Sequence, residues 1–165
     1  MSKEPLIRKA SLRDLPAITR IYNQAVEERA STSDETPRSL ADRRRWFAQF
    51  DAKHPCWVGV EGGEVAAFGA LYAWGPKSGY RFTVENSVYV ARAARGRGWG
   101  KRMLAHVLKE GRALGHKYVL ARVFSHNPAS LRLHRKAGFR LIGTQRRVAK
   151  LDDRWYDVAL MEKHL

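Results

Sequence analysis

The chain has 165 residues, 44% hydrophobic and 28% charged, which suits one domain (1–165) with a proper core and argues against disorder. No run approaches the roughly 20 apolar residues of a membrane helix, and the opening MSKEPLIRKA lacks the apolar stretch of a signal peptide; with Cys56 as the single cysteine, a cytoplasmic protein without disulfides is expected. The 31 basic and 16 acidic residues give a net charge of +15, which attracts polyanions, but the basic residues are spread along the chain, so a solvated basic surface holding one phosphate site is expected rather than a nucleic-acid binder.

Leu6-Ile7-Arg8 reads as a short first strand. Ser11 and Asp14 have capping-box spacing, with Asp in place of Glu, ahead of Leu15, Ile18, Ile21, Tyr22, Ala25 and Val26 at helical spacing. Ser39 suits the cap of a second helix carrying Leu40, Trp46, Phe47 and Phe50. Two strands, Cys56 to Glu61 and Glu64 to Tyr72, are joined by Gly62-Gly63, a hairpin signal. After a turn from Gly75 to Gly79 comes a strand over about Arg81 to Val90. A glycine-rich run then opens a helix with Met103, Leu104, Val107, Leu108 and Leu114 on one face, ending near Gly115. A strand (Tyr118 to Phe124), a helix after Asn127-Pro128, and strands around Phe139 to Val148 and Trp155 to Met161 complete the chain. The order predicts an α/β fold with helices on both faces of a central mixed sheet, partly parallel where β-α-β crossovers occur.

Arg95-Gly96-Arg97-Gly98-Trp99-Gly100-Lys101 follows a strand and opens a helix. The first amides of a helix lack internal partners and bind anions, and glycines permit the positive φ that converging N–H groups need. Arg95, Arg97 and Lys101 add attraction for a diphosphate. The run lacks the Gly-Lys-Ser/Thr ending of a P-loop and the position and spacing of a dinucleotide fingerprint. Further on, Asn127-Pro128 suits a helix N-terminus and Gly138 its C-terminus.

The run beginning at Arg95 resembles the Arg/Gln-x-x-Gly-x-Gly/Ala signature of the GNAT superfamily of N-acetyltransferases, with Arg92 where Pro is frequent and Trp99 where a branched aliphatic is usual. Asn127 to Phe139 resembles that superfamily's second signature. The resemblance spans nearly the whole chain. It implies the GNAT fold, with a mostly antiparallel sheet, and acetyl-CoA as cosubstrate, its pyrophosphate on Arg95, Gly96, Arg97, Gly98, Gly100 and Lys101. It further implies that Asn127 and Ser130 flank the pantetheine arm, that the backbone of Val88, Tyr89 and Val90 contacts the cofactor, and that His134 lies near the thioester sulfur.

Thr83 to Val90, Ile21-Tyr22-Asn23 and Trp155-Tyr156-Asp157 resemble the phosphinothricin acetyltransferase-like branch, which includes amino-acid N-acetyltransferases acting on methionine sulfone or sulfoximine. The resemblance therefore implies an α-amino acid or analogue as acceptor, Glu85 as general base through water, and a bulge near Glu85 that splays the sheet and aims amides at the thioester. His134 is a candidate to assist the amine or protonate the sulfur. The acceptor turn departs from the branch: Gly75 and Lys77 stand where relatives often carry arginines, leaving Lys77, Tyr80 and Arg81, with Glu85, as candidate acceptor contacts. A protein, lysine or polyamine acetyltransferase, or a basic binding module on the same fold, remain alternatives. A homodimer is expected by analogy. No histidine spacing suggests a metal, and none is expected.

Overall fold

The computed structural model describes residues 5–165. Its strands and helices follow in the expected order: β1 (Leu6–Lys9), α1 (Leu15–Glu28), α2 (Leu40–Phe47), β2 (Cys56–Glu61), β3 (Glu64–Ala73), β4 (Thr83–Val90), α3 (Trp99–Ala113), β5 (Tyr118–Phe124), α4 (Pro128–Lys136), β6 (Arg140–Leu151) and β7 (Arg154–His164).

Local chemistry sets several of the boundaries. Ser39 accepts from the Asp42 amide at 3.0 Å while Asp42 accepts from the Ser39 amide at 3.0 Å, a reciprocal cap that starts α2. Asp14 accepts from the Ser11 amide at 2.7 Å and pairs with Arg8 at 2.8 Å, tying β1 to the one-turn 3-10 segment Leu12–Asp14 that leads into α1. β4 begins at Thr83 rather than Arg81, because Arg81 N–H donates to Ser78 at 3.2 Å and closes a 3-10 turn over Ser78–Tyr80.

The seven strands among the described residues form one sheet in the order β1-β2-β3-β4-β5-β7-β6. β4 and β5, joined through α3, run parallel; the other pairings are antiparallel. Side chains alternate between the faces. On β3, Phe68 packs against Trp46 and Tyr72 against Phe50, so this face carries α1 and α2. Gly69 instead lies beneath Met103 and Val107 of α3. On β4, Tyr89 meets Phe68 and Tyr22, whereas Asn86 meets His134 of α4. Glu85, Ser87 and Tyr89 therefore share the α1/α2 face, and Asn86, Val88 and Val90 share the α3/α4 face.

The Trp99 departure has its compensation two strands away. Trp99 is buried, and a Cβ added at Gly59 would come within 2.2 Å of its ring. The missing side chain of Gly59 is thus the space that the indole fills.

β4 and β5 pair only from Thr83–Glu85 to Tyr118–Leu120; beyond Glu85 they part. The expected bulge near Glu85 is absent, since β3 and β4 keep an unbroken register from Ala67↔Val90 to Ala73↔Val84. The gap arises because β4 stays bonded to β3, and β5 to β7, along their lengths, while sheet twist carries the two halves apart.

Candidate active site

The parting of β4 and β5 opens a cleft of about 780 Å³ running from the C-terminal end of α1 to the start of α3 and α4. Its β4 wall is an unpaired edge. Leu71 N–H donates to Pro55 and Ala91 N–H to Ala66, which fixes the alternation along both strands. The backbone groups of Glu85, Ser87 and Tyr89 turn to β3, and those of Asn86, Val88 and Val90 turn toward β5, which has left. Tyr89 lines the cleft, but its N–H belongs to the β3 ladder, so backbone contact at this edge falls to its neighbours.

The glycine-rich loop closes one end. Gly96 (φ 73°) and Gly98 (φ 82°) take left-handed conformations that only glycine adopts at low cost. Gly98 caps α3 without a side chain, and the first helical bond is Arg102 N–H to Gly98 at 3.0 Å. The amides of Trp99, Gly100 and Lys101 therefore have no helical partner and stand at the positive end of the dipole. Arg95, Gly96, Gly98 and Gly100 line the cleft. Arg97 and Lys101 do not. Arg97 pairs with Glu61 at 2.9 Å, and Arg95 is held by Glu28 at 2.9 Å, so a phosphate in this loop would meet amides chiefly rather than three free cations.

Asn127 and Ser130 line the same cleft. The Asn127 side chain accepts from Ser130 N–H at 3.0 Å and donates to Ala30 at 3.0 Å, capping α4 while anchoring the segment after α1. His134 is buried, and its pKa is pushed below the ordinary value chiefly by desolvation. Its Nδ1–H donates to the Ser130 carbonyl at 2.9 Å, and its Nε2 accepts from Asn86 Nδ2 at 3.2 Å. A neutral ring with both nitrogens engaged is a holder of Asn86, whose buried Oδ1 has no partner among the described residues.

Acetyl-CoA fits this cleft. An unpaired strand edge and the orphaned Asn86 Oδ1 suit the amide groups of a pantetheine arm, and the uncapped start of α3 suits the diphosphate.

A second cavity, of about 900 Å³, lies on the α1/α2 face. Glu85, Ser87, Tyr89 and Arg122 line both cavities, so the two meet there. The Glu85 carboxylate accepts from Arg122 Nε at 2.8 Å. Arg122 escaped the sequence reading; its signal was a lone charge in the otherwise apolar strand YVLARVF. Lys77, Tyr80 and Arg81 line neither cavity: they sit at or beside the exposed 3-10 turn, with Arg81 stacked 4.4 Å over Phe82. Instead, the second cavity holds Arg43, buried on α2 between the rings of Tyr22 and Trp46.

A sheet split at one parallel junction, with an uncapped helix start at one end of the gap and a second cavity adjoining it at a carboxylate, suits an acyl-CoA-dependent N-acyltransferase. Residues 16–139 match the Acetyltransferase (GNAT) family, and the chain belongs to it as an acetyl-CoA-dependent N-acetyltransferase. It is 38% identical over 161 residues, 96% of this chain and 94% of the other, to an L-methionine sulfoximine/L-methionine sulfone acetyltransferase of Pseudomonas paraeruginosa. A phosphinothricin acetyltransferase of Sinorhizobium meliloti in complex with acetyl-CoA superposes with a TM-score of 0.92 at 33% identity, over 99% of this chain and 89% of that one. A ribosomal-protein-alanine N-acetyltransferase of Brucella melitensis gives 0.93 at 37% identity, over 97% and 99%. Among the described residues no group of side chains suited to a metal ion occurs, and no helix is long and apolar enough to cross a membrane.

Proposed function

We propose that the protein acetylates the α-amine of a free amino acid or an analogue such as methionine sulfone, sulfoximine or phosphinothricin. The observation that carries this reading is the meeting of the two cavities at Glu85. Acetyl-CoA supplies an activated thioester. The free N–H groups of the β4 edge are the donors available to the charge that grows on its oxygen. An amine attacks only when neutral, and Glu85, at the junction of the cavities, takes the ammonium proton through water. Arg122 holds that carboxylate in place. The proton shed as the amide forms passes to the departing sulfur. His134 acts as a positioning residue that presents Asn86 to the cleft, rather than as a proton donor.

The roles of Val88 and Val90 are those of the unpaired edge, and Arg97 and Lys101 contribute only long-range attraction. A second reading, acetylation of a peptide N-terminus, is favoured by the likeness to the ribosomal-protein-alanine enzyme. We also assign a homodimer, supported by the outer strand β6 and by Leu141, Ile142, Val148 and Trp155, each 44–50% exposed. The single, buried Cys56 thiol fits a cytoplasmic setting.

The test is thiol release from acetyl-CoA with free amino acids, methionine sulfone and sulfoximine, phosphinothricin, spermidine, and N-terminal and lysine peptides. Turnover on an amino acid, lowered about 10²- to 10⁴-fold in Glu85→Gln with acetyl-CoA affinity kept, is expected. Turnover confined to peptides or polyamines would overturn the acceptor assignment.

A further inference from the structure

Resting on the amino-acid reading above, we infer that Arg43 is the receptor for the acceptor's carboxylate and so the residue that restricts the enzyme to acidic acceptors. Arg43 is 3% exposed, and its Nε and Nη2 have no hydrogen-bond partner among the described residues. A buried donor without an acceptor is costly, and a buried unpaired cation more so. Its guanidinium carbon lies 4.2 Å from the Tyr22 ring centroid and 4.5 Å from that of Trp46. The ring faces hold the cation but accept none of its in-plane hydrogen bonds.

Among the described residues no carboxylate pairs with it. Asp34 acts on Arg43 only at a distance and is already taken, accepting from Arg38 Nε at 2.8 Å and from the Tyr22 hydroxyl at 2.6 Å. Burial pulls the Arg43 pKa below its ordinary value, yet guanidinium stays charged throughout the working range. The neighbours Arg44 and Arg45 are exposed, and Arg45 pairs with Asp42. Four arginines line that cavity, Arg38, Arg43, Arg45 and Arg122; three of them pair with Asp34, Asp42 and Glu85, and among the described residues Arg43 alone of the four has no carboxylate partner.

That cavity also contains Glu85. An occupant that offers an ammonium to Glu85 and a carboxylate to Arg43 satisfies both ends at once, the carboxylate meeting the guanidinium where it lines the cavity. The cation that the turn from Trp74 to Tyr80 fails to place in the cavity is thus supplied from α2. A peptide N-terminus has an amide where a free amino acid has its carboxylate, so the same residue discriminates against peptides.

The experiment compares wild type, Arg43→Lys and Arg43→Met with L-methionine sulfone and its carboxamide, by thiol release and by calorimetric titration of each probe into protein saturated with CoA. Expected for Arg43→Met is a rise in KM and Kd for the free acid of about 100-fold, with kcat changed far less. The carboxamide should bind wild type and variant alike, and Arg43→Lys should recover only part of the loss. Affinity for acetyl-CoA should not move, and the empty Arg43→Met protein should melt no lower than wild type, because an unpaired buried charge has been removed. A large drop in Tm would make Arg43 a structural staple and overturn the inference. So would equal binding of acid and carboxamide by wild type, or no binding of the acid. Turnover of peptides or polyamines with no amino acid accepted overturns the acceptor assignment itself, a result distinct from an Arg43→Met protein that turns over amino acids as wild type does.

Discussion

Replacing Gly59 by alanine tests whether the indole of Trp99 fixes the start of α3. The added Cβ would lie 2.2, 2.7 and 3.0 Å from three ring carbons of Trp99, well inside contact distance, and Gly59 sits in β2 at an ordinary negative φ. Backbone strain is therefore absent and the cost is overpacking, about 1–3 kcal/mol. The ring has little freedom to yield. It is 1% exposed, its Nε1–H donates to Glu61 at 2.9 Å, and the Arg102 guanidinium lies 4.1 Å over its face. Trp99→Leu alone should cost about 2–4 kcal/mol through the cavity it leaves. In the double variant the new methyl occupies part of that cavity, so the two changes should fall short of additive by about 1 kcal/mol or more. Urea midpoints for the four proteins measure the coupling, and the KM for acetyl-CoA should follow it, because Trp99 is the first residue of α3. Additive effects, or a neutral Gly59→Ala, would refute the reasoning.

Gly98→Ala should cost about 1–2 kcal/mol from its φ of 82° and raise the KM for acetyl-CoA, whereas Gly79→Ala, with open space around its Cβ and no positive φ, should change neither; thermal melts and initial rates separate them. Burial holds the His134 pKa below 6.5, so its neutral form contributes stability that is complete above that value and is lost as pH falls. Denaturant titrations across that range should show a shallower acid loss in His134→Gln, with the His106 contribution, of the same direction, remaining. Asn127→Ala removes the α4 cap and should cost about 1 kcal/mol, read from the urea midpoint. Light scattering should give twice the chain mass, and Trp155→Glu with Ile142→Lys should yield monomers.

The periodicities were sufficient for every helix and strand because the caps and breakers are local: Ser39 with Asp42, Gly62-Gly63, and Asn127-Pro128 act within four residues. The glycine loop was legible for the same reason. Pairings between distant strands were not. Arg122 reaches Glu85 only because β4 and β5 are parallel neighbours for three residue pairs, and Arg43 becomes a buried cation only when α2 closes over β3. Within the run Arg43-Arg44-Arg45 nothing local marks the first as the buried one. Lys77, Tyr80 and Arg81 were placed at the acceptor by resemblance, but a 3-10 turn closed by the Tyr80 and Arg81 amides keeps them outside both cavities. The bulge at Glu85 failed because a strand can lose one neighbour simply by that neighbour following another.

The junction of the two cavities bears on inhibitor design. Each cavity alone sets a separate affinity, but the residues they share, Glu85, Ser87, Tyr89 and Arg122, put the occupants of both beside the same four side chains. A single molecule joining CoA through a short carbon spacer to the nitrogen of an amino acid would have its second half delivered at an effective concentration in the millimolar range once the first had docked. The same four residues that face both cavities would make the enzyme vulnerable to one compound that imitates both substrates.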